Sequence, residues 1–290
     1  MKKIAVLNDL SGMGKCSLTA AIPVISVMGI QACPLPTAVL SAQTGFPSYY
    51  CDDYTDRMDK IMAEWKKMDF HPDGIYTGFL ADALQADKAV EFIEIFGRED
   101  TRILVDPVMG DNGEEYPVYT EELCEKMRFL VKRASVITPN LTEALLLLYG
   151  TERAHELWKE ITVLEENELL EFVENTGDKL AKEFATEVVI TGIDLPMREN
   201  HQEMGNLICR DGEAIWVTAV KEGGSYSGTG DLFASVLSAG MVKGMDTVDS
   251  VRKAVKFLSK GIHDAVLEGT DRNEGICFER YLAELHLSFL

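Results

Sequence analysis

The chain has 290 residues, of which 46% are hydrophobic and 26% are charged, as is usual for globular proteins. Its 48 acidic and 28 basic residues give a net charge of -20, so the mean surface field repels phosphate backbones and excludes nucleic acid as an expected partner. A phosphate-bearing ligand would need a metal ion and backbone N–H groups to offset this repulsion. The length suits one large α/β core, and we expect a single domain over residues 1–290.

The amino-terminal segment begins with two lysines but has only four apolar residues before Asn8, which is too few for a signal peptide. The six cysteines contain no CxxC pair, so we expect free thiols. No charged residue or histidine lies between Lys15 and Asp52, but prolines and polar residues interrupt this stretch before it could span a membrane. We therefore expect a cytoplasmic protein without a membrane partner, in which this stretch is mostly buried beside a pocket or subunit contact.

Short β-branched runs alternate with longer helical patterns along the chain, and this alternation is typical of βαβ units. Strands are predicted at residues 4–8, 32–40, 74–78, 102–106, 135–138 and 188–192, and helices at 17–28, 55–68, 85–96, 120–132 and 167–184. A hairpin is predicted from residues 206–210 and 214–220, followed by helices at 231–242, 247–267 and 278–287. The pattern predicts an α/β fold, a three-layer α/β/α sandwich with a mostly parallel central sheet of eight or more strands.

Polar residues follow each predicted parallel strand. In such sheets, ligands bind beyond the carboxyl ends of the strands, where the connecting loops meet. The residues at these positions are Asn8-Asp9, Gln43-Thr44-Gly45, Thr77-Gly78-Phe79, Asp106-Pro107, Thr138-Pro139-Asn140 and Thr191-Gly192.

The segment 223–234 contains a glycine-rich loop that leads into a helix. Gly228 and Gly230 allow the backbone to approach a ligand closely, and a helix that begins near Thr229 directs free N–H groups toward it. Asp231 in the first turn could then accept a proton from a substrate hydroxyl. The alternative is an ordinary loop with an acidic residue that complements the helix dipole.

Two acidic motifs are candidate cation sites. Asn140 and Glu143 open a helix after Pro139, and their spacing fits either a capping box or a site in which Glu143 holds Mg²⁺ through water. Asp106 and Asp111 lie in the loop after an apolar strand, where they are candidates for cation binding.

These motifs together resemble the ribokinase-like superfamily, and within it the pyridoxal/pyridoxamine kinases and the hydroxymethylpyrimidine kinases. The resemblance runs from Ile4 to about Leu237. It is carried by the segments NDLSGMG (8–14), SAQTGF (41–46), TGF (77–79), VDPVMGD (105–111), ITPNLTE (137–143), VITG (189–192) and GTGD (228–231).

The resemblance implies a kinase that uses ATP with Mg²⁺ and a monovalent cation, either K⁺ or Na⁺, and that forms a homodimer. It implies that Asp231 is the catalytic base and that Gly228, Thr229 and Gly230 form the anion hole and contact ATP. The remaining implied positions are Asn140 and Thr191 for nucleotide phosphates; Asp106, Asp111 and Glu143 for metal ions, with Thr138 near the monovalent cation; and Asp9, Gln43, Thr44, Phe79 and Tyr119 for the aromatic substrate.

The chain departs from both branches of the resemblance. Asp9 stands where many pyridoxal kinases have Ser and Phe79 where they have Tyr, and the NDLSG segment leans toward the pyrimidine kinases. Asp231, however, stands where the pyrimidine kinases usually have Cys, which favours a B6 vitamer as the phosphate acceptor. The first alternative function is a hydroxymethylpyrimidine kinase. More distant alternatives are a sugar or nucleoside kinase of the same fold and a non-catalytic sensor that binds a nucleotide or a B6 vitamer. Asp9 itself is expected either to contact a substrate amine or to support the glycine loop at 12–14.

Overall fold

The structure is a computed structural model that describes residues 1–195 and 202–287. The chain divides into two compact units, the first made of Met1–Ala81, Glu91–Ile103 and Glu222–Leu290 and the second of Asp82–Val90 and Leu104–Lys221.

The first unit contains four strands in the order β4-β1-β2-β3. They are β1 (Lys3–Ser11), β2 (Gln31–Leu40), β3 (Cys51–Asp53) and β4 (Gly74–Thr77). Strand β1 pairs in parallel with β2 and β4, whereas β3 is antiparallel to β2. The pairing of β1 with β2 shifts register between Asn8 and Leu10, as a β-bulge does, and such bulges redirect side chains.

The helices of the first unit include two that place functional residues. These two are α1 (Ser17–Val27), which follows β1, and α8 (Thr229–Lys243). The described part of the unit also contains α2 (Thr55–Lys67), α9 (Thr247–Glu268), α10 (Leu282–Leu287) and residues 91–96 of α3 (Ala83–Phe96). Helix α8 is buried from Leu232 to Val242, which fits a helix enclosed on all sides by protein. Left-handed glycines, Gly228 and Gly244, bound it at its two ends.

The second unit contains strands in the order β11-β10-β9-β8-β5. They are β5 (Arg102–Val105, whose first two residues belong to the first unit), β8 (Val136–Ile137), β9 (Glu187–Asp194), β10 (Glu203–Arg210) and β11 (Glu213–Val220). Strands β5, β8 and β9 are parallel, and β10 and β11 complete the sheet edge as an antiparallel hairpin. Its other elements are a small hairpin of β6 (Gly110–Asp111) and β7 (Glu114–Glu115), and helices α4 (Glu121–Val131), α5 (Leu141–Tyr149), α6 (Thr151–Ile161) and α7 (Glu166–Phe184).

The predicted fold class is confirmed: helices flank a mostly parallel sheet. The sequence patterns missed β3, the β6/β7 hairpin and α6. Only Gly150 separates α6 from α5, so no turn-rich stretch marks that boundary. The prediction of one helix at 278–287 was wrong in its first half, because Phe278–Tyr281 forms a 3-10 turn that precedes α10.

Two further expectations concern burial and thiols. The uncharged stretch is mostly buried or half-buried, as expected, and its exposed part includes residues 47–51. All six cysteines are free, as predicted. Within the part of the chain that the structure describes, no helix is both long and apolar enough to cross a membrane.

Candidate active site

The loop before α8 contains the residues of the predicted anion hole. Gly228 caps the helix with a φ of 80°, and a Cβ at this position would collide with the carbonyl oxygen of Lys15. Only glycine therefore fits this left-handed, crowded position. Thr229 and Gly230 begin the first turn, whose backbone N–H groups have no partner within the helix. The structure thus places the three residues of the predicted anion hole at the positive end of α8.

Asp231 lies in the same first turn and is surrounded by hydrogen-bond donors. Its Oδ1 accepts from Nδ2 of Asn8 at 2.9 Å and from the hydroxyl of Tyr76 at 3.3 Å. The backbone N–H of Ser17 also donates to the carboxylate. Burial, with a smaller contribution from the negative charge of Asp9, raises the pKa of the Asp231 carboxyl to about 6, although these donors oppose the shift. The carboxylate is thus ionised at neutral pH but basic enough to take a proton.

Asp9 is directed at neighbouring protein groups. It is 5% exposed, its carboxylate accepts from the hydroxyl of Ser11 at 2.7 Å, and the hydroxyl of Ser17 donates to it as well. Burial raises the pKa of the Asp9 carboxyl. These contacts favour the interpretation that Asp9 supports the loop after β1.

Cys16 lies close to both carboxylates, although no sequence motif singled it out. Burial, followed by the charges of Asp231 and Asp9, raises the pKa of its thiol to about 12. The thiol therefore stays protonated and is not a nucleophile at neutral pH.

Gln43 joins three loops of the first unit. Its Nε2 donates to Oγ of Ser227 at 3.0 Å and to Oδ1 of Asn273 at 3.2 Å, while its Oε1 accepts from the N–H of Gly45 at 2.6 Å. The amide predicted to contact substrate is thus engaged by protein groups. Thr44, beside it, is exposed.

Asn273 contacts Gln43, a predicted substrate residue, and the sequence motifs missed it because the family resemblance ends near Leu237. The local signal was the turn-forming segment Asp271-Arg272-Asn273-Glu274-Gly275. Phe79, the other substrate candidate in this unit, is held through its backbone: its N–H donates to Asn8 and its carbonyl accepts from Thr37.

The second unit contains the predicted cation residues. The hydroxyl of Thr138 donates to Oδ1 of Asp106 at 3.0 Å. Both carboxylate oxygens of Glu143 accept backbone N–H groups, from Met109 at 3.1 Å and from Asn140 at 2.9 Å. Because Asn140 also accepts from the N–H of Glu143, the capping box expected as one alternative is present. Burial and then repulsion from Asp106 raise the pKa of the Glu143 carboxyl well above its usual range.

The carboxylates of the second unit suit a magnesium ion that keeps most of its water ligands. Among the described residues, no group of three His, Cys, Asp or Glu side chains is placed to hold a metal. Mg²⁺, however, keeps several waters and commonly uses one or two carboxylates together with substrate phosphates. Glu143 and Asp106 are buried carboxylates that repel one another, and a cation would offset that repulsion. The residues therefore fit a Mg²⁺ that is held largely through water and phosphate oxygens; the monovalent cation stays a prediction.

The other candidates of the second unit have separate contacts. Asn140 forms an isolated parallel bridge with Thr191, and its Nδ2 donates to the carbonyl of Gly110 at 2.7 Å, so the two predicted nucleotide residues are adjacent. Asp111 binds Asn112 through both of its carboxylate oxygens. Tyr119 forms a hydrogen bond with Thr151 at 2.9 Å, and burial raises the pKa of its hydroxyl to about 12.

The chain was compared with known proteins. The model of the phosphomethylpyrimidine kinase family matches residues 14–275. The chain belongs to this family. The family resemblance seen in the motifs is thereby confirmed. The hydroxymethylpyrimidine/phosphomethylpyrimidine kinase of Bacillus subtilis (strain 168) is 27% identical over 199 residues, which cover 68% of this chain and 65% of that relative, slightly less than two thirds of its length.

Solved structures share the fold of this family member. A Bacteroides thetaiotaomicron protein assigned to the phosphomethylpyrimidine kinases, in a crystal form with pyridoxal, is 37% identical with a TM-score of 0.85, covering 98% of this chain and 95% of that one. The pyridoxal kinase of Lactobacillus plantarum is 24% identical with a TM-score of 0.84, covering 100% and 98%. The latter likeness shows the fold alone.

Proposed function

We propose that this chain is an ATP- and Mg²⁺-dependent kinase that phosphorylates the exocyclic hydroxymethyl group of pyridoxamine, pyridoxal or pyridoxine. The observation that carries the proposal is Asp231, a carboxylate at the N-terminal end of α8 whose pKa is raised to about 6. A group with such a pKa is suited to take the proton of a substrate hydroxyl near neutral pH.

The first unit supplies the chemistry of the acceptor oxygen. Asp231 removes the proton from the hydroxymethyl group while that oxygen attacks the γ-phosphorus of ATP in line with the leaving ADP oxygen. The N–H groups of Gly228, Thr229 and Gly230, together with the positive end of α8, stabilise the charge on the transferring phosphoryl group. Positioning and electrostatics account for most of the catalysis in such transfers.

The second unit supplies the proposed nucleotide and cation contacts. Asn140 and Thr191 would contact the nucleotide phosphates, and their adjacency supports a shared role. Glu143 and Asp106 would hold Mg²⁺ through water, with Asp111 as a further carboxylate and Thr138 near a K⁺ or Na⁺ ion. When bound, Mg²⁺ neutralises phosphate charge, which this protein of net charge -20 otherwise repels.

Two observations favour a B6 vitamer as acceptor. Position 231 carries Asp where the resemblance gives Cys for the pyrimidine kinases. The 37% identical Bacteroides relative was crystallised with pyridoxal. Hydroxymethylpyrimidine is the second candidate, because the Bacillus relative carries that activity in its name and the matching family model is named for the related phosphomethylpyrimidine kinases. The homodimer is proposed on the family resemblance, and the cytoplasmic location on the scattered cysteines, which contain no CxxC pair.

The test is a competition between acceptors. Purified protein with ATP and Mg²⁺ is given pyridoxal, pyridoxamine, pyridoxine and hydroxymethylpyrimidine, first singly and then as an equimolar mixture, and the phosphate esters are separated by chromatography and identified by mass. We expect kcat/KM to be at least about tenfold higher for a B6 vitamer, a preference of about 1.4 kcal/mol. Asp231→Asn serves as the control for contaminating kinases.

The outcomes separate the candidates. A tenfold preference for hydroxymethylpyrimidine would assign the second function. Absence of any phosphate ester, in a protein that binds ATP and remains folded, would refute the kinase proposal. Light scattering of the same preparation tests the homodimer.

A further inference from the structure

The side-chain amide of Asn8 links β1 to the first turn of α8. Its Oδ1 accepts two backbone N–H groups, from Asp9 at 3.0 Å and from Phe79 at 2.9 Å. Because two donors converge on this atom, it must be the amide oxygen, and the other amide atom is then the NH₂ donor. That donor, Nδ2, lies 2.9 Å from Oδ1 of Asp231.

Asn8 has little freedom to turn away from this arrangement. The residue is 0% exposed, and the β-bulge that follows it lets neighbouring Asp9 take a separate direction toward Ser11. Gly78 lies directly against the amide, so that even a Cβ at position 78 would collide with it. The backbone of the 78–79 turn therefore holds Asn8, and Asn8 in turn contacts Asp231.

This arrangement distinguishes the two carboxylate oxygens of Asp231. Asn8 and Tyr76 both donate to Oδ1. Among the described residues, the remaining donor to this carboxylate is the backbone N–H of Ser17, which leaves Oδ2 as the oxygen that would accept a substrate proton. The two donors to Oδ1 thereby fix the orientation of the carboxylate plane and, with it, the position of Oδ2.

We propose that Asn8 is a positioning residue for phosphoryl transfer, which fixes the direction of the Asp231 carboxylate through the hydrogen bond to its Oδ1. A donor to this carboxylate also favours its ionised form. The proposal rests on the proposed function, in which Asp231 is the base. No motif assigned a role to Asn8 beyond its place after the first strand.

The electrostatic surroundings agree with this role. The titratable groups that act on Asp231 are Asp9 from β1, Cys16 before α1 and Tyr76 from β4. Burial and the charge of Asp9 favour the protonated form of Asp231, and the Asn8 and Tyr76 hydrogen bonds favour the ionised form. Because these donors are neutral, they lower the pKa less than a cation would, and the carboxylate remains basic.

Asn8→Asp is the most informative variant. An aspartate keeps the shape of the side chain and an oxygen that accepts from Asp9 and Phe79, so the support of the 78–79 turn survives. It replaces the donor facing Asp231 with a carboxylate oxygen, and two neighbouring carboxylates retain a proton to higher pH. Tyr76→Phe removes the longer, 3.3 Å bond and should act in the same direction more weakly.

Thr37→Val is the matched control. In the wild type, the hydroxyl of Thr37 donates to the carbonyl of Phe79 at 2.9 Å. Its loss disturbs the 78–79 turn without changing a group that contacts Asp231. A structural role of Asn8 would make the two variants behave alike.

The readout is the pH dependence of kcat with saturating substrates. For Asn8→Asp we expect the acid limb of the pH profile to move up by about one to two pH units. A hydrogen bond to a charged group contributes about 1.5 to 3 kcal/mol, and its loss raises the pKa of the carboxylate by a corresponding amount. We also expect kcat on the alkaline plateau to be lower on the order of tenfold, with the KM for ATP within about twofold of wild type. Thr37→Val should leave the limb in place.

A titration that needs no turnover keeps this inference separate from the proposed function. In protein labelled with ¹³C at the aspartate carboxyl carbons, the Asp231 signal is assigned by its loss in Asp231→Asn. Its titration midpoint is then compared in wild type, the two Asn8 variants (Asn8→Asp and Asn8→Ser), Tyr76→Phe and the control Thr37→Val. A midpoint that rises in Asn8→Asp and Asn8→Ser supports the inference even if no acceptor is phosphorylated. An unchanged midpoint, or an equal change in Thr37→Val, would overturn it.

Discussion

The Nε2 of Gln43 donates a hydrogen bond to Oδ1 of Asn273 at 3.2 Å, which ties the loop after β2 to the segment that follows α9. The same amide reaches Ser227, just before the anion hole. The loop that contains Gln43 and Thr44 is thus held by residues more than 180 positions away in sequence.

We expect Asn273→Ala to loosen the Gln43 loop and to raise the KM for the aromatic acceptor several-fold, with a smaller change in the KM for ATP. The lost hydrogen bonds join neutral groups and are partly exposed, so we expect their loss to weaken acceptor binding by about 1 kcal/mol. Steady-state kinetics with each substrate varied in turn give both constants. Glu274→Ala, an exposed change in the same turn, is the control. Equal increases in both KM values would show that the contact does not act on the acceptor loop.

We expect Asp231→Asn to retain ATP binding and to lose about 10²-fold or more in kcat, since general base catalysis contributes that much. In the wild type, kcat should fall as the pH drops below about 6, because the base becomes protonated. Isothermal titration with ATP and a pH series of kcat check the two statements. A kcat close to wild type in the variant would remove Asp231 from the catalytic role.

The raised pKa of Asp231 also predicts a change in stability. The folded protein binds this proton more tightly than the unfolded chain, so the stabilisation is complete below pH 3.8 and is lost as the pH rises through about 6. Asp231→Asn should therefore have a higher Tm than wild type at pH 8, and the difference should narrow at pH 5.5. Thermal unfolding at the two pH values measures it; a lower Tm at pH 8 would contradict the pKa assignment.

We expect Glu143→Gln to lower stability and to raise the Mg²⁺ concentration needed for half-maximal turnover. Both carboxylate oxygens accept backbone N–H groups, and a Gln amide nitrogen would leave one N–H unpaired at a cost of about 1 to 3 kcal/mol. Loss of the charge weakens the water-mediated hold on the cation.

A second capping box supplies the control for Glu143. Glu168 occupies the same position at the exposed start of α7, where it accepts from the N–H of Glu165 at 3.1 Å. Glu168→Gln should reproduce part of the stability loss with no change in Mg²⁺ dependence. If both variants left the Mg²⁺ dependence unchanged, Glu143 would have a capping role alone.

We expect Asp9→Ser to reduce kcat/KM for pyridoxamine and pyridoxal equally, because the carboxylate binds Ser11 and Ser17 within the protein. If Asp9 paired with the amine of pyridoxamine, loss of that charge-assisted bond would lower the pyridoxamine to pyridoxal ratio on the order of tenfold to a hundredfold. Kinetics with both vitamers distinguish the two roles.

Local patterns in the sequence determined the fold class and most of the elements, and they predicted an anion hole before α8. Strand and helix periodicities depend on neighbouring residues, and the glycines around Asp231 meet a backbone requirement that is visible within one segment. The capping box of Asn140 and Glu143 was recognisable for the same reason, since its partners are three residues apart.

Only the tertiary structure decided how these groups act. The amide of Asn8 meets Asp231 across 223 residues, and Gln43 meets Asn273 across 230. The contacts of Asp9 with Ser11 and Ser17 lie beside a register shift that appears only when β1 pairs with β2. Hydrogen bonds and pKa values depend on distances between atoms that chain folding brings together, and a single sequence does not encode these distances in any local pattern.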